Sequence, residues 1–166
     1  MATKGNLNNH IGVPLSLLDI GPGTEIAIIE IGANHQKEIA FLSNIAAPDY
    51  GYITNFGKAH LEGFDGVEGV IKGKSELYDY LTANGKAVFM NADDPIQKEK
   101  LDHYVHKYGF STTDSKFYNI TMTAADPFVE ITVEGTKIKT QLIGSYNFTN
   151  CCAAIIMGTY FNVPIA

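Results

Sequence analysis

Short apolar runs alternate with stretches of helical period along this chain. Residues 25–31, 49–54 and 87–90 read as strands, and each is followed by apolar positions recurring at the spacing of one helix face. The spacing predicts helices over 36–45, 67–81 and 95–108, the last with Asp93 or Asp94 as its cap and Pro95 in its first turn. Strand and helix in alternation give the βαβ rhythm of a mostly parallel sheet flanked by helices, an α/β fold. Beyond Phe117 the pattern changes to strict alternation over 118–122, 128–133 and 138–142, with Glu134-Gly135 as the turn between the last two. This predicts a small antiparallel β subdomain over 117–143. A final helix over 147–161 is apolar nearly all round and is expected to be buried. Neither an internal repeat nor a low-complexity linker interrupts the series.

Composition narrows the class. A chain of 166 residues is long enough for one domain with its own core. Its runs fall short of a membrane helix, and the start, Met1-Ala2-Thr3-Lys4-Gly5-Asn6, has no apolar signal core, so nothing reads as secreted or membrane-anchored. Acidic residues outnumber basic ones by 18 to 12 and the lysines form no stripe, which argues against nucleic acid as a partner. An anionic ligand would have to be held locally. The cysteines, Cys151 and Cys152, are neighbours in an apolar run, which suits neither a disulfide framework nor a metal motif and fits a reducing, cytoplasmic setting.

Three residues carry candidate chemistry. Lys74 falls within the stripe formed by Val67, Val70, Ile71, Leu77 and Tyr78, whereas Lys72 does not. It either snorkels its ammonium to water from the stripe's edge or is held for its chemistry, since burial depresses the amine pKa and leaves a nucleophile. Glu30 ends a predicted strand that a parallel sheet would cover on both faces, at the place where such sheets bind ligands. A capped structural carboxylate and a metal ligand both fit that position. His60, in the loop after the strand at 49–54, reads alone as a solvated histidine or, with the other two, as part of a metal and phosphate site.

Four strings, taken in order, carry a resemblance. They are Asn6-Leu7-Asn8-Asn9-His10-Ile11-Gly12-Val13-Pro14, Glu30-Ile31-Gly32-Ala33-Asn34-His35-Gln36, Ala59-His60-Leu61-Glu62-Gly63-Phe64 and Lys72-Gly73-Lys74-Ser75-Glu76-Leu77. Together they resemble the central, ATP-binding domain of the Mur ligases, a domain of P-loop NTPase type. The asparagine-rich start and the Gly-Ala-Asn-His-Gln string favour the branch that adds D-alanyl-D-alanine to UDP-N-acetylmuramoyl-tripeptide in peptidoglycan synthesis. Sister Mur ligases, folylpolyglutamate-synthase-like ligases and a non-catalytic binding module of the same fold are the alternatives.

The resemblance implies roles residue by residue. Glu30 and His60 match residues that hold Mg2+, and Lys74 matches a lysine that carbon dioxide converts to a carbamate, an anion able to help hold the metal. Magnesium takes hard oxygen ligands and keeps its waters, which suits the two oxygen donors better than His60. In Gly144-Ser145-Tyr146-Asn147-Phe148-Thr149-Asn150, Asn147 and Asn150 match asparagines that contact the adenine of ATP, with a plain helix cap as the other reading of Asn147. Tyr146 stands where many relatives have histidine. The Asn8 and Asn9 loop matches the part that meets the UDP-sugar peptide, and an ordinary asparagine-rich turn is its other reading. The family's phosphate loop, of the form G-x-x-G-K-T/S, has no counterpart in this sequence. The resemblance therefore implies a fragment that lacks the phosphate loop, the UDP-substrate domain and the C-terminal domain, and that is inactive by itself.

Overall fold

The computed structural model describes residues 1–57 and 61–165. The chain divides into two compact units, Met1–Lys86 and Ala87–Ala166.

In the first unit, helices α1 (Gly12–Leu18), α2 (Glu38–Ala46), α3 (Leu61–Phe64) and α4 (Val67–Ala83) accompany one short strand, β1 (Tyr50–Tyr52). The α4 helix is the longest, and its packing is set by small residues. Gly69 and Gly73 lie one turn apart on the face that meets Phe64, which is 1% exposed. A Cβ at Gly69 would stand 1.5 Å from the Phe64 carbonyl oxygen, and one at Gly73 2.4 Å from the Phe64 ring. The helix ends where Gly85 takes φ +65: Gly85 N–H donates to Thr82 O and Lys86 N–H to Leu81 O, the paired bonds of a Schellman cap. Around it Val13, Ile39, Leu42, Ile53, Val70, Tyr78 and Leu81 are buried.

The second unit is a sheet covered by a helix. Strands β2 (Ala87–Asn91), β3 (Lys107–Ser111) and β4 (Tyr118–Ala124) run parallel, and β5 (Phe128–Val133) and β6 (Thr136–Ile143) continue antiparallel from β4. The β5–β6 turn is Glu134-Gly135, both at positive φ, as a two-residue hairpin loop requires. Between β2 and β3 lies α5 (Pro95–Lys100), capped by Asp94, whose carboxylate accepts from Ile96 N and Gln97 N. The last helix, α6 (Asn147–Tyr160), lays Phe148, Cys151, Cys152, Ala153 and Ile156 on the sheet and leaves Ala154 outside, so it is one-sided where the sequence suggested burial all round.

The α/β class with a parallel part and an antiparallel part is as expected. Two elements differ. Residues 25–31 form no strand: their one ladder contact is a single parallel bridge from Ile28 to Ala2, and one bridge is too short to propagate. Ile26 and Ile28 stay exposed, and so does Glu30, which therefore is not buried at the end of a doubly covered strand. The helix expected over 95–108 stops at Lys100, because Lys107 turns its ammonium onto the carbonyls of Leu101 and Asp102 and starts β3 instead.

Candidate functional site

The first unit gathers the conspicuous strings. Asn8 Nδ2 donates to Glu30 Oε1 at 2.7 Å, and Gly32 N–H to the Asn8 carbonyl at 2.8 Å. Asn9 Oδ1 accepts from Ile11 N at 3.0 Å and Gly12 N at 2.9 Å, so its side chain caps the start of α1. Beyond Glu30 the loop 33–37 is pinned by two carboxylates. Glu38 accepts from Asn34 N at 2.7 Å and His35 N at 3.2 Å; Glu76, on α4, accepts from Lys37 N at 2.6 Å and Ala40 N at 2.9 Å. The bond from Asn34 holds the Glu38 carboxyl below the usual carboxylate range. Gly63 sits so close to this loop that a Cβ would come within 2.1 Å of Asn34 O. The strings at 6–14, 30–36, 61–64 and 72–77 thus form one connected assembly.

Within it Lys74 is half-buried, next to the Gly73–Phe64 contact. Its Nζ donates to Asn55 O at 2.7 Å, just past the end of β1. Burial lowers its pKa, which raises the share of free amine at a given pH. As an ammonium it would repel a metal ion; as a carbamate it would present oxygens. Val67, expected on the same apolar face, is 42% exposed, and the true packing face is the glycine pair with Val70, Tyr78 and Leu81.

Glu30 is solvent-exposed and offers hard oxygen to a cation, which fits magnesium's habit of using one or two carboxylates and keeping its waters. His60 lies outside the described residues, and among the described residues no three His, Cys, Asp or Glu side chains converge as a metal cage.

In the second unit, Asn147 and Asn150 occupy one side of the first turn of α6, as their spacing implied. Asn150 Nδ2 donates to Asn147 Oδ1 at 3.1 Å, and Asn147 Nδ2 donates to Ile143 O at 2.9 Å. The cap position belongs to Tyr146, with no side-chain cap bond, so Asn147 is not the helix cap. Tyr146 is 75% exposed.

Sequence reasoning missed a polar knot at the strand ends of this unit. The Asp93 carboxylate accepts from Ser111 Oγ, Thr112 N and Thr112 Oγ1. Burial pushes its pKa up, but these bonds outweigh burial and hold it below the aspartate norm. The signal was present only as Asp93 after one strand and Ser-Thr after another, and that second strand was not predicted.

This α/β chain, which carries Asn8, Glu30 and the half-buried Lys74 in one compact unit, belongs to the Mur ligase middle domain family, whose model matches residues 1–158. It is 39% identical over 158 residues to the UDP-N-acetylmuramoyl-tripeptide--D-alanyl-D-alanine ligase of Haemophilus influenzae, covering 92% of this chain and 34% of that protein. To the Escherichia coli ligase of the same name it is 36% identical over 160 residues, covering 92% of this chain and 35% of that one. The crystal structure of MurF from Acinetobacter baumannii superimposes with a TM-score of 0.80 at 27% identity, over 99% of this chain and 37% of that one. The chain spans about a third of the length of these relatives.

Proposed function

We propose that this chain is the ATP-binding middle domain of a cytoplasmic amide ligase that joins D-alanyl-D-alanine to UDP-N-acetylmuramoyl-tripeptide. The observation that carries the reading is the assembly of the four strings, Glu30 and Lys74 among their residues, in a chain whose named relatives are ligases of that specificity. In this reaction the tripeptide carboxylate attacks the γ-phosphate of ATP, ADP departs, and the resulting acyl phosphate is captured by the amine of D-alanyl-D-alanine with release of phosphate. Bound magnesium would offset the negative charge gathering on the phosphates. Glu30 and His60 would hold it, joined by Lys74 once its free amine has added carbon dioxide and released a proton. Asn147 and Asn150 would face the adenine, with their mutual bond and the Ile143 bond fixing both amides beforehand. The loop that carries Asn8 and Asn9 would border the UDP-peptide. The domain's contribution is positioning and electrostatic stabilisation. The glycine-rich phosphate loop, which this sequence does not contain, would come from elsewhere in the ligase.

The test is turnover by the full-length ligase carrying this domain. With ATP, UDP-N-acetylmuramoyl-tripeptide and D-alanyl-D-alanine, mass spectrometry is expected to detect the UDP-pentapeptide together with stoichiometric phosphate. Product formation with a single amino acid in place of the dipeptide, and none with the dipeptide, would assign the domain to a sister ligase.

A further inference from the structure

We propose that Asn8 is a positioning residue for the Glu30 carboxylate and not a direct contact to the UDP-peptide; this rests on the proposed role of Glu30 as a magnesium ligand. Asn8 Nδ2 donates to Glu30 Oε1 at 2.7 Å. An ionised carboxylate only accepts, so the amide must turn its NH2 toward Glu30, and a bond to a charged acceptor is stronger than one between neutral groups. The amide is itself built in. Asn8 N–H donates to Asn6 O at 2.8 Å, and the Asn8 carbonyl accepts from Gly32 N at 2.8 Å. Gly32 lies directly against the amide, where a Cβ would come within 2.9 Å of Asn8 Cγ and Nδ2.

The Glu30 backbone is tied as well, its N–H donating to Thr3 Oγ1 at 2.9 Å. An exposed glutamate would otherwise spread over its rotamers, at an entropic cost to any ion that must collect it. Here one carboxylate oxygen is taken up by Asn8, and Oε2 accepts no hydrogen bond among the described residues. That is the arrangement of a ligand oriented by an outer partner, with one oxygen anchored and one presented. Asn9 performs a different task one residue on, capping α1, which holds the loop carrying Asn8 in place.

The experiment uses the full-length ligase carrying this domain, with Mn2+ and ADP as the probe in the absence of acceptor substrates, read by electron paramagnetic resonance. Steady-state rates at varied Mg2+ and varied UDP-peptide accompany it. Asn8→Leu keeps the size and removes the donor, and is expected to weaken Mn2+ binding by about tenfold, the scale of outer-partner losses at metal sites, with a parallel rise in half-saturating Mg2+. The KM for the UDP-peptide is expected to stay unchanged. Gly32→Ala leaves both partners chemically intact but displaces the amide, and is expected to move Mn2+ binding the same way. Combined with Glu30→Gln, Asn8→Leu is expected to add little, because it acts through the same carboxylate. A raised KM for the UDP-peptide with Mn2+ binding unmoved, or additive effects in the double variant, overturns the proposal. Should Glu30→Gln alone leave Mn2+ binding unmoved, the metal role of Glu30 fails first and the positioning role falls with it.

Discussion

Lys74 is the residue whose setting most constrains its chemistry. Its ammonium donates to the Asn55 carbonyl and, at longer range, to the Asn55 side-chain oxygen, and its burial favours the neutral amine. Carbon dioxide adds only to that neutral form. The isolated chain in 13C-bicarbonate is therefore expected to give a carbamate 13C resonance that grows from about pH 7 to about pH 8.5 and is missing in Lys74→Arg, because a lowered lysine pKa raises the free-amine share over this range. No such resonance at the upper pH would count against carbamylation. On the proposed reading, Lys74→Arg in the full-length ligase keeps a positive charge where the carbamate would present an anion, and kcat is expected to fall by about 10²–10³, the cost typical of losing one electrostatic group at the reacting centre. The odd placement of Lys74 could be read from the helical period alone, since a charge inside an apolar stripe shows up in one dimension. The carboxylates of Glu76 and Asp93 could not: each acts on backbone or hydroxyl groups far along the chain, Lys37 and Ala40 for one, Ser111 and Thr112 for the other. The bond from Asn8 to Glu30 was hidden for the same reason, as the two lie 22 residues apart.

Among the elements, the α3–α4 junction fixes where Lys74 stands. Phe64→Ala removes a fully buried ring and is expected to cost about 3–5 kcal/mol, measured by urea unfolding of the chain. Gly73→Ala approaches the same contact from the other side: the added methyl would meet the Phe64 ring at 2.4 Å, so the Phe64 end of α3 must move off α4. An unfolding midpoint unchanged in both variants would mean that this contact does not hold the junction. In the second unit the acid side of the stability curve should carry the mark of Asp93. Its folded pKa is depressed, so its contribution is present above the unfolded aspartate pKa of about 3.9 and is lost as pH falls through the folded value. Asp93→Asn is expected to be less stable near neutrality and to lose less between about pH 5 and about pH 3 in thermal melts, since nothing is left there to protonate. The elements that the sequence revealed are those with local signals, such as Asp94-Pro95 at a helix start and Glu134-Gly135 in a hairpin. The strand β3 escaped because Lys107-Tyr108-Gly109-Phe110-Ser111 is short, follows a charged helical stretch and contains a glycine. That glycine is there for packing, as a Cβ would meet the Phe117 ring at 2.7 Å. The reverse error, a strand read into 25–31, arose because an apolar run does not reveal whether neighbours exist to pair with it.

For the chain as a whole, the consequence of that unpaired run is exposed apolar surface. Ile28 is 65% exposed, Ile11, just before α1, is 61% exposed, and on α1 Leu15 and Leu18 are 49% and 82% exposed. Isolated apolar side chains at a surface are ordinary, but several in one compact unit are the kind of surface that drives association. The formal net charge of −6 opposes it. These two influences can be separated, because Leu18→Lys with Ile28→Lys removes apolar surface while lowering the net charge from −6 to −4, one unit per substitution. If charge repulsion governed association, this double variant would associate more than the parent chain. If the apolar surface governs, it would associate less in spite of its weaker repulsion. Sedimentation velocity of the isolated chain at high micromolar concentration is expected to give a weight-average mass that rises with concentration and hardly changes with added salt. The lysine pair is expected to bring it back toward the monomer mass of 18.1 kDa. A Leu18→Glu, Ile28→Glu pair, with net charge −8, should behave like the lysine pair if apolar contact is the cause; divergence of the two pairs would assign the association to charge instead.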